Sequence, residues 1–364
     1  MKKLLILILA LAVFVIGCKQ KAETTADQKP VVKIGVVFPL SGDLASWGDV
    51  ARDAMWMARD DLGTTKFRYE FIFEDSKLDG KFAATAIQKL VNIDKVDAVI
   101  SASATEANII SPIAEKNRII HFSYAYDPEA AKGTYNFLHW TPPDESSRGL
   151  AKVLADKKLT KVALFILNHQ DAIVLFKAFE PIAKEYGIQI VFSQIINAEE
   201  RDFKTLIARA KQTNPDIYVL GLVPPSLDII AKQLREQKVF EPMTCIEAFN
   251  YSENPTLFEG MWFIDAADAP DDIRENFQKK YHHIMTSGMG NGYDIVKMLA
   301  YAYEKASTSS SKPLNEEVVQ ILYQIKDFPG MLGKLTIDSQ GIVHSKPTLK
   351  EIRNGKPIII KRDL

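Results

Sequence analysis

Short apolar runs and amphipathic stretches alternate along the chain from Val31 onward. Lys33 to Phe38 (KIGVVF) is an apolar run bounded by turn signals, the pattern of a buried strand. From Val50, Ala54, Ala58 and Leu62 recur every fourth position beside Met55, which predicts an amphipathic helix. A strand at Tyr69 to Phe73 follows, then a helix around Phe82 to Val91 and a strand at Asp97 to Ser101. A helix near Ile109 to Lys116 and a strand at Arg118 to Ser123 continue the rhythm. Strands that are apolar throughout, separated by helices, argue for a parallel sheet covered on both faces.

The rhythm breaks at Trp140-Thr141-Pro142-Pro143-Asp144 and then restarts. Val162 to Leu167, Ile188 to Phe192 and Ile217 to Leu220 read as strands. Helices are expected near Ile173 to Tyr186, Asp202 to Gln212 and Leu227 to Gln237. Two similar halves, each a doubly wound sheet, account for this better than one very large sheet. The Ser-rich stretch Ser307 to Ser311 reads as a loop.

The first 30 residues follow another pattern. Met1-Lys2-Lys3 is basic, Leu4 to Val15 is apolar without interruption, and small Gly17 precedes Cys18. The apolar stretch falls short of the roughly 20 residues that a permanent spanning helix needs. A signal peptide over residues 1–17 is therefore expected. Gly17-Cys18 resembles the lipobox of bacterial lipoproteins, which implies acylation of Cys18 and anchoring to a membrane; the alternative is a plain signal peptide with an incidental cysteine. Lys19 to Pro30 is polar and aperiodic, so residues 18–30 read as a disordered tether. Extended, it reaches roughly 40 Å at about 3.4 Å per residue.

With 45 Lys and Arg against 46 Asp and Glu, the formal net charge is −1, and nothing suggests nucleic-acid binding. Besides Cys18 there is only Cys245, in a short apolar context that suits a buried small hydrophobe. Catalytic motifs find little footing. Gly288-Met289-Gly290-Asn291-Gly292 lacks nucleotide-loop spacing and a preceding strand, so it reads as a turn before a helix. Ser309-Ser310-Ser311-Lys312 fits a Ser-x-x-Lys pattern only inside a Ser-rich loop. His282 and His283 are adjacent and would point to different faces of a helix, which disfavours a metal site. No enzymatic activity, cofactor or metal is expected.

From Val31 to about Lys361 the chain resembles the type I periplasmic solute-binding proteins, especially the leucine/isoleucine/valine-binding group of ABC importers. The residues that carry the likeness are Ile34-Gly35-Val36 through Pro39-Leu40-Ser41-Gly42 to Trp47-Gly48, and Ser111-Pro112-Ile113-Ala114-Glu115. Phe258-Glu259-Gly260-Met261, Gly292-Tyr293-Asp294, Gly330-Met331-Leu332-Gly333 and Asn354-Gly355-Lys356 follow in order. The resemblance implies an α/β fold: two doubly wound parallel-sheet lobes joined by three crossovers, with ligand clamped between them. The crossovers are expected near Pro142-Asp144, Cys245-Phe249 and Asp327-Met331. Lobe 1 would then hold residues 31–142 and 248–327, and lobe 2 residues 143–247 and 328–364.

The resemblance also implies a set of cleft residues. Glu247 matches the family's acid that receives a ligand α-ammonium, against the plainer reading of a solvated loop glutamate. Ala125 matches a position whose carbonyl helps hold that ammonium, and Tyr126 follows it where the family has a small or hydroxylic residue. The ligand carboxylate would meet the loop-to-helix junction Ser103-Ala104-Thr105-Glu106. Ala104 stands there where the family usually offers a serine, so Ser103, Thr105 or backbone amides would have to serve. Asp171 replaces a Tyr or Phe, and Leu222 a second aromatic. That exchange suits a more polar or cationic ligand, unless Asp171 merely caps its helix. Trp47 fits an aromatic wall or ordinary loop packing.

The expected function is capture of a small polar ligand, an amino acid or analogue, for an ABC permease, by a monomer lipid-anchored on the outer side of the cell membrane. The other reading is a ligand-sensing or regulatory lipoprotein of the same fold, partnered with a sensor or with cell-wall synthesis.

Overall fold

The computed structural model describes residues 29–42, 44–286, 288–306 and 312–364. The signal peptide, Cys18, most of the tether and the Ser307 to Ser311 loop lie outside the described residues. The first segment runs β1 (Val31–Phe38), α1 (Ala45–Asp60), β2 (Arg68–Asp75), α2 (Gly80–Lys89), β3 (Ala98–Ser101), α3 (Ala104–Asn117), β4 (Ile120–Ser123) and β5 (Asn136–Leu138). These strands form a parallel sheet in the order β2-β1-β3-β4-β5. Both faces of β1 are buried. Ile34 and Val36 pack with Ala51, Ala54 and Met55 of α1, while Val37 packs with Ala83 and Ile87 of α2 and Ile110 of α3. Continuous apolar strands follow from that two-sided burial.

The second segment comprises α4 (Pro143–Asp156), β6 (Lys161–Leu167), α5 (Gln170–Glu185), β7 (Gln189–Ile196), α6 (Lys204–Lys211), β8 (Ile217–Gly221), α7 (Ser226–Glu236), β9 (Met243–Thr244) and β10 (Trp262–Asp265). Its parallel sheet has the order β7-β6-β8-β9. The chain then passes through α8 (Asp271–Tyr281), α9 (Gly290–Ala306), α10 (Asn315–Leu322), β11 (Phe328–Gly330), β12 (Gly333–Ile337) and β13 (Val343–His344). It ends in an antiparallel hairpin, β14 (Thr348–Arg353) and β15 (Lys356–Lys361).

Two of the expected crossovers move. The chain does not leave lobe 2 at Cys245-Phe249, because Ile246 bridges Ile264 and β10 pairs with β14. Phe249, Phe258 and Phe263 fill the same core as Phe165 and Leu220. The return therefore falls after β10, at Ala266 to Pro270, and residues 248–265 belong to lobe 2. Nor does the last crossover fall at Asp327-Met331. The antiparallel β11-β12-β13 sheet stays on lobe 1, where Ile342 bridges Leu138 and Asp294 of α9 accepts the amides of Met331 (2.5 Å) and Leu332 (3.0 Å). That crossover is Ser345 to Pro347.

The three connections meet at one point. Thr141 Oγ1 accepts the amide of Ala267 at 2.9 Å and lies 3.3 Å from Ser345 Oγ. One residue from each crossover thus shares one hydroxyl, which is the geometry of a hinge whose few connecting residues absorb the dihedral change.

The glutamate in Phe258-Glu259-Gly260-Met261 has a comparable staple role. Its two carboxylate oxygens accept the amides of Asn354 (2.8 Å) and Gly355 (3.0 Å), tying the turn of the last hairpin to lobe 2. Cys245 is buried as expected, and burial pushes its thiol well up.

Candidate functional site

Strand ends and helix starts of both lobes face one another across a cavity of about 180 Å³. Lobe 1 contributes Leu44, Trp47, Leu78, Ser103, Tyr124 and Tyr126, and lobe 2 contributes Asp171, Val223, Glu247 and Tyr251. Trp140 closes the hinge side. The cavity shares Leu44, Leu78, Val223 and Tyr251 with a wider mouth of about 640 Å³. This is the crevice outside the carboxyl ends of parallel strands, where doubly wound sheets bind ligands.

Glu247 follows β9 and holds φ +63°, a left-handed conformation uncommon for a residue with a side chain. Its amide donates to the carbonyl of Ile264 at 2.7 Å, which fixes the turn. The side chain is 7% exposed. Oε1 accepts from Tyr126 Oη across the cleft and from Trp140 Nε1 at 2.9 Å. Both of these bonds go to Oε1, and among the described residues no Lys or Arg lines the cavity. Burial, and then the nearby Asp265 carboxylate, push the Glu247 carboxyl up to about 8. The solvated-loop reading of Glu247 is thereby corrected: this is a desolvated acid at a cleft wall.

Asp171 lines the cavity, but its partners are not those of a helix cap. It is the second residue of α5, whose N-cap is His169, and it caps nothing on its own helix. Its carboxylate crosses to lobe 1, where Oδ2 accepts the amide of Ala104 at 3.1 Å and Oδ1 that of Tyr126 at 2.8 Å. Ala104 is the first residue of α3, so a helix N-terminus and a loop amide share one anion. Burial raises the Asp171 carboxyl. His169 lies 3.8 Å from it and 3.4 Å from Thr105 Oγ1. Beside them Asp127 accepts from Asn108 (3.1 Å) and Gln170 (3.0 Å), a second polar link between the lobes.

The remaining candidates divide. Ser103 and Trp47 line the cavity, and Trp47 Nε1 is buried without an acceptor among the described residues. Ala104 contributes its amide. Thr105 bonds the rim through His169, Ala125 is buried in the lobe 1 core, and neither lines the cavity. Leu222 packs in the lobe 2 core and lines an adjoining pocket of about 140 Å³ that shares Tyr126, Asp171, Val223, Glu247 and Tyr251 with the cavity.

Sequence reading missed Tyr124, Trp140 and Tyr251. Rings link Phe38 to Trp47 (5.2 Å) and to Tyr124 (5.0 Å), Tyr124 to Trp140 (5.7 Å) and Trp140 to Tyr126 (6.3 Å). The aromatic cover lost at Asp171 and Leu222 is therefore supplied mainly from lobe 1 and the first crossover. Tyr124 and Tyr126 follow the end of β4, and both rings contact Trp140. Gly288 underlies Trp140: at φ +77°, any Cβ would overlap the indole. The His282-His283 pair is not on a helix, since α8 ends at Tyr281; His283 Nδ1 is 2.8 Å from Asp53.

Two hinged lobes that close side chains around a small cavity define a solute-binding receptor of the cleft type. Residues 31–347 match the family model described as periplasmic binding protein, and the chain belongs to that family. The leucine-specific-binding protein of Salmonella typhimurium is 28% identical over 214 residues, a match covering 56% of this chain and 58% of that protein. Among solved structures, a leucine-binding protein of Thermotoga maritima superposes with a TM-score of 0.80 at 22% identity, covering 91% of this chain and 98% of its own. A solute-binding protein of an ABC transporter from Rhodopseudomonas palustris, in complex with 3,4-dihydroxybenzoic acid, superposes with a TM-score of 0.78 at 16% identity, covering 92% and 98%. The family is one of solute-binding proteins, not enzymes.

Proposed function

We propose that the protein is an exported, lipid-anchored receptor that captures a small amino-acid-like solute in its interlobe cleft and delivers it to an ABC permease. The observation that carries the reading is Glu247, a buried acid that lines a cavity walled by both lobes and has no cationic residue among its described cavity neighbours. A carboxylate in a water-poor cleft attracts an ammonium much more strongly than in bulk solvent. Trp47, Ser103, Tyr124, Tyr126, Trp140 and Tyr251 are the proposed contact residues around it. Relatives whose names specify leucine support the solute class. The cavity and the buried Glu247 carboxyl favour transport over a regulatory lipoprotein with a decayed cleft.

The test is a thermal-shift screen of amino acids and their amine analogues, followed by calorimetric titration of each hit. A saturable ligand whose binding compacts the molecule in small-angle scattering is expected. Absence of any ligand in the screen overturns the reading. The anchor is tested separately. Cys18→Ser should abolish lipid labelling and move the protein from membrane to soluble fractions; unchanged membrane association contradicts it.

A further inference from the structure

The two poles that a zwitterionic amino acid would need differ in whether the chain has already filled them. The anion pole is a pair of amides, Ala104 N at the start of α3 and Tyr126 N after β4. Both already donate to Asp171, one to each carboxylate oxygen, at 3.1 and 2.8 Å. Asp171 comes from the opposite lobe, so a pair of amides suited to a carboxylate is already occupied by one that the chain itself supplies. His169 and Gln170 hold the same strip to lobe 1, through Thr105 Oγ1 and through Asp127. Displacing Asp171 would therefore break several bonds across the cleft.

The cation pole remains open. Both bonds from Tyr126 and Trp140 go to Glu247 Oε1, and Glu247 is more than nine-tenths buried. The walls beside it are aromatic, and ring faces attract cations. A ligand carboxylate entering this cavity would meet Asp171, with no Lys or Arg among the described lining residues to offset it. Like charges in a desolvated site are strongly unfavourable.

We infer that the cleft takes an organic amine on an apolar body and excludes the corresponding α-amino acid, because Asp171 supplies in cis the carboxylate that such an acid would bring. The inference rests on the solute-receptor reading and narrows it. Asp171 is then the specificity-determining residue: its carboxylate both completes the anion site and repels a second one.

Calorimetric titration of the full globular chain tests it with two matched pairs, 2-phenylethylamine against L-phenylalanine and 3-methylbutylamine against L-leucine. Wild type should bind at least one amine roughly 30-fold or more tightly than its amino acid, the ratio expected for about 2 kcal/mol. Asp171→Ala exposes the Ala104 and Tyr126 amides and should shrink or invert that ratio by gaining amino-acid affinity. If Asp171→Ala does not fold, Asp171→Asn keeps the shape without the charge and should move the ratio in the same direction. Wild-type binding of L-leucine or L-phenylalanine as tight as that of the paired amine overturns the inference and leaves the receptor reading standing. No binding of any of the four by wild type or variants overturns both.

Discussion

Two groups of buried acids flank the second crossover, and they differ in where their countercharge comes from. Behind the crossover, Asp265 and Asp268 share the ammonium of Lys350 at 2.8 and 2.7 Å, all three side chains being 1% exposed. Arg274 adds a contact to Asp268 at 3.3 Å. In front of it, Glu247 is also buried, but its donors among the described residues are the neutral Tyr126 and Trp140. A buried carboxylate with a lysine built beside it is a structural element. One whose neighbours are a phenol, an indole and a cavity is set up to receive a cation from outside.

Breaking the first group should have the largest effect. Lys350→Met removes the ammonium from two buried carboxylates and should cost about 3–5 kcal/mol of stability, read as a lower urea midpoint. A variant that melts like wild type would mean that Asp265 and Asp268 do not depend on it. Glu247→Gln makes the converse point. Below pH 4.5, where the carboxyl is neutral folded and unfolded, it should leave urea stability nearly unchanged, yet at neutral pH it should weaken a cationic ligand by about 2–5 kcal/mol, roughly 30-fold or more. Wild-type affinity in that variant would remove the ammonium contact.

The pH dependence sharpens the contrast further. Glu247 is held at about 8, above its ordinary value of 4.5, so the folded state binds its proton more tightly than the unfolded chain. Its contribution to stability is complete below pH 4.5 and is lost as pH rises through 8. Buried His121, pushed down to about 4 from 6.5, acts oppositely: its contribution is present above pH 6.5 and lost as pH falls through 4. Between pH 6.5 and 8 only the glutamate of this pair changes charge. Melting temperature measured there should fall with pH more steeply in wild type than in Glu247→Gln. Parallel slopes would show that Glu247 titrates normally.

The smallest effect is expected at the hinge. Thr141→Val leaves the Ala267 amide without its acceptor and should cost about 1–3 kcal/mol, with altered compaction on ligand binding. Unchanged stability and scattering would show that the shared hydroxyl does not couple the crossovers.

Much of this architecture was legible in the sequence because buried parallel strands advertise themselves as apolar runs, as in Val162 to Leu167. The crossovers were less so. Residues 248–265 carry two 3₁₀ turns and one short strand, and only the Ile246–Ile264 bridge and the β10–β14 pairing assign them to lobe 2. Nor does local pattern tell that β11 to β13 stay on lobe 1, since what holds them is Asp294, about 37 residues earlier. At the site, Glu247 and Ser103 could be found by position in a motif. Asp171 could be found but not understood, because its partners, the amides of Ala104 and Tyr126, carry no side-chain signal and lie on the other lobe.

Native mass spectrometry of protein purified without denaturation from its own cells tests the central claim most directly, that the second acid site draws its cation from a solute. Wild type should carry a releasable small molecule bearing an amine and no carboxylate, and Glu247→Gln should lose it. An α-amino acid on the wild-type protein would overturn the exclusion of amino acids alone, whereas the same adduct at the same level on Glu247→Gln, or no adduct on wild type, would contradict the central claim.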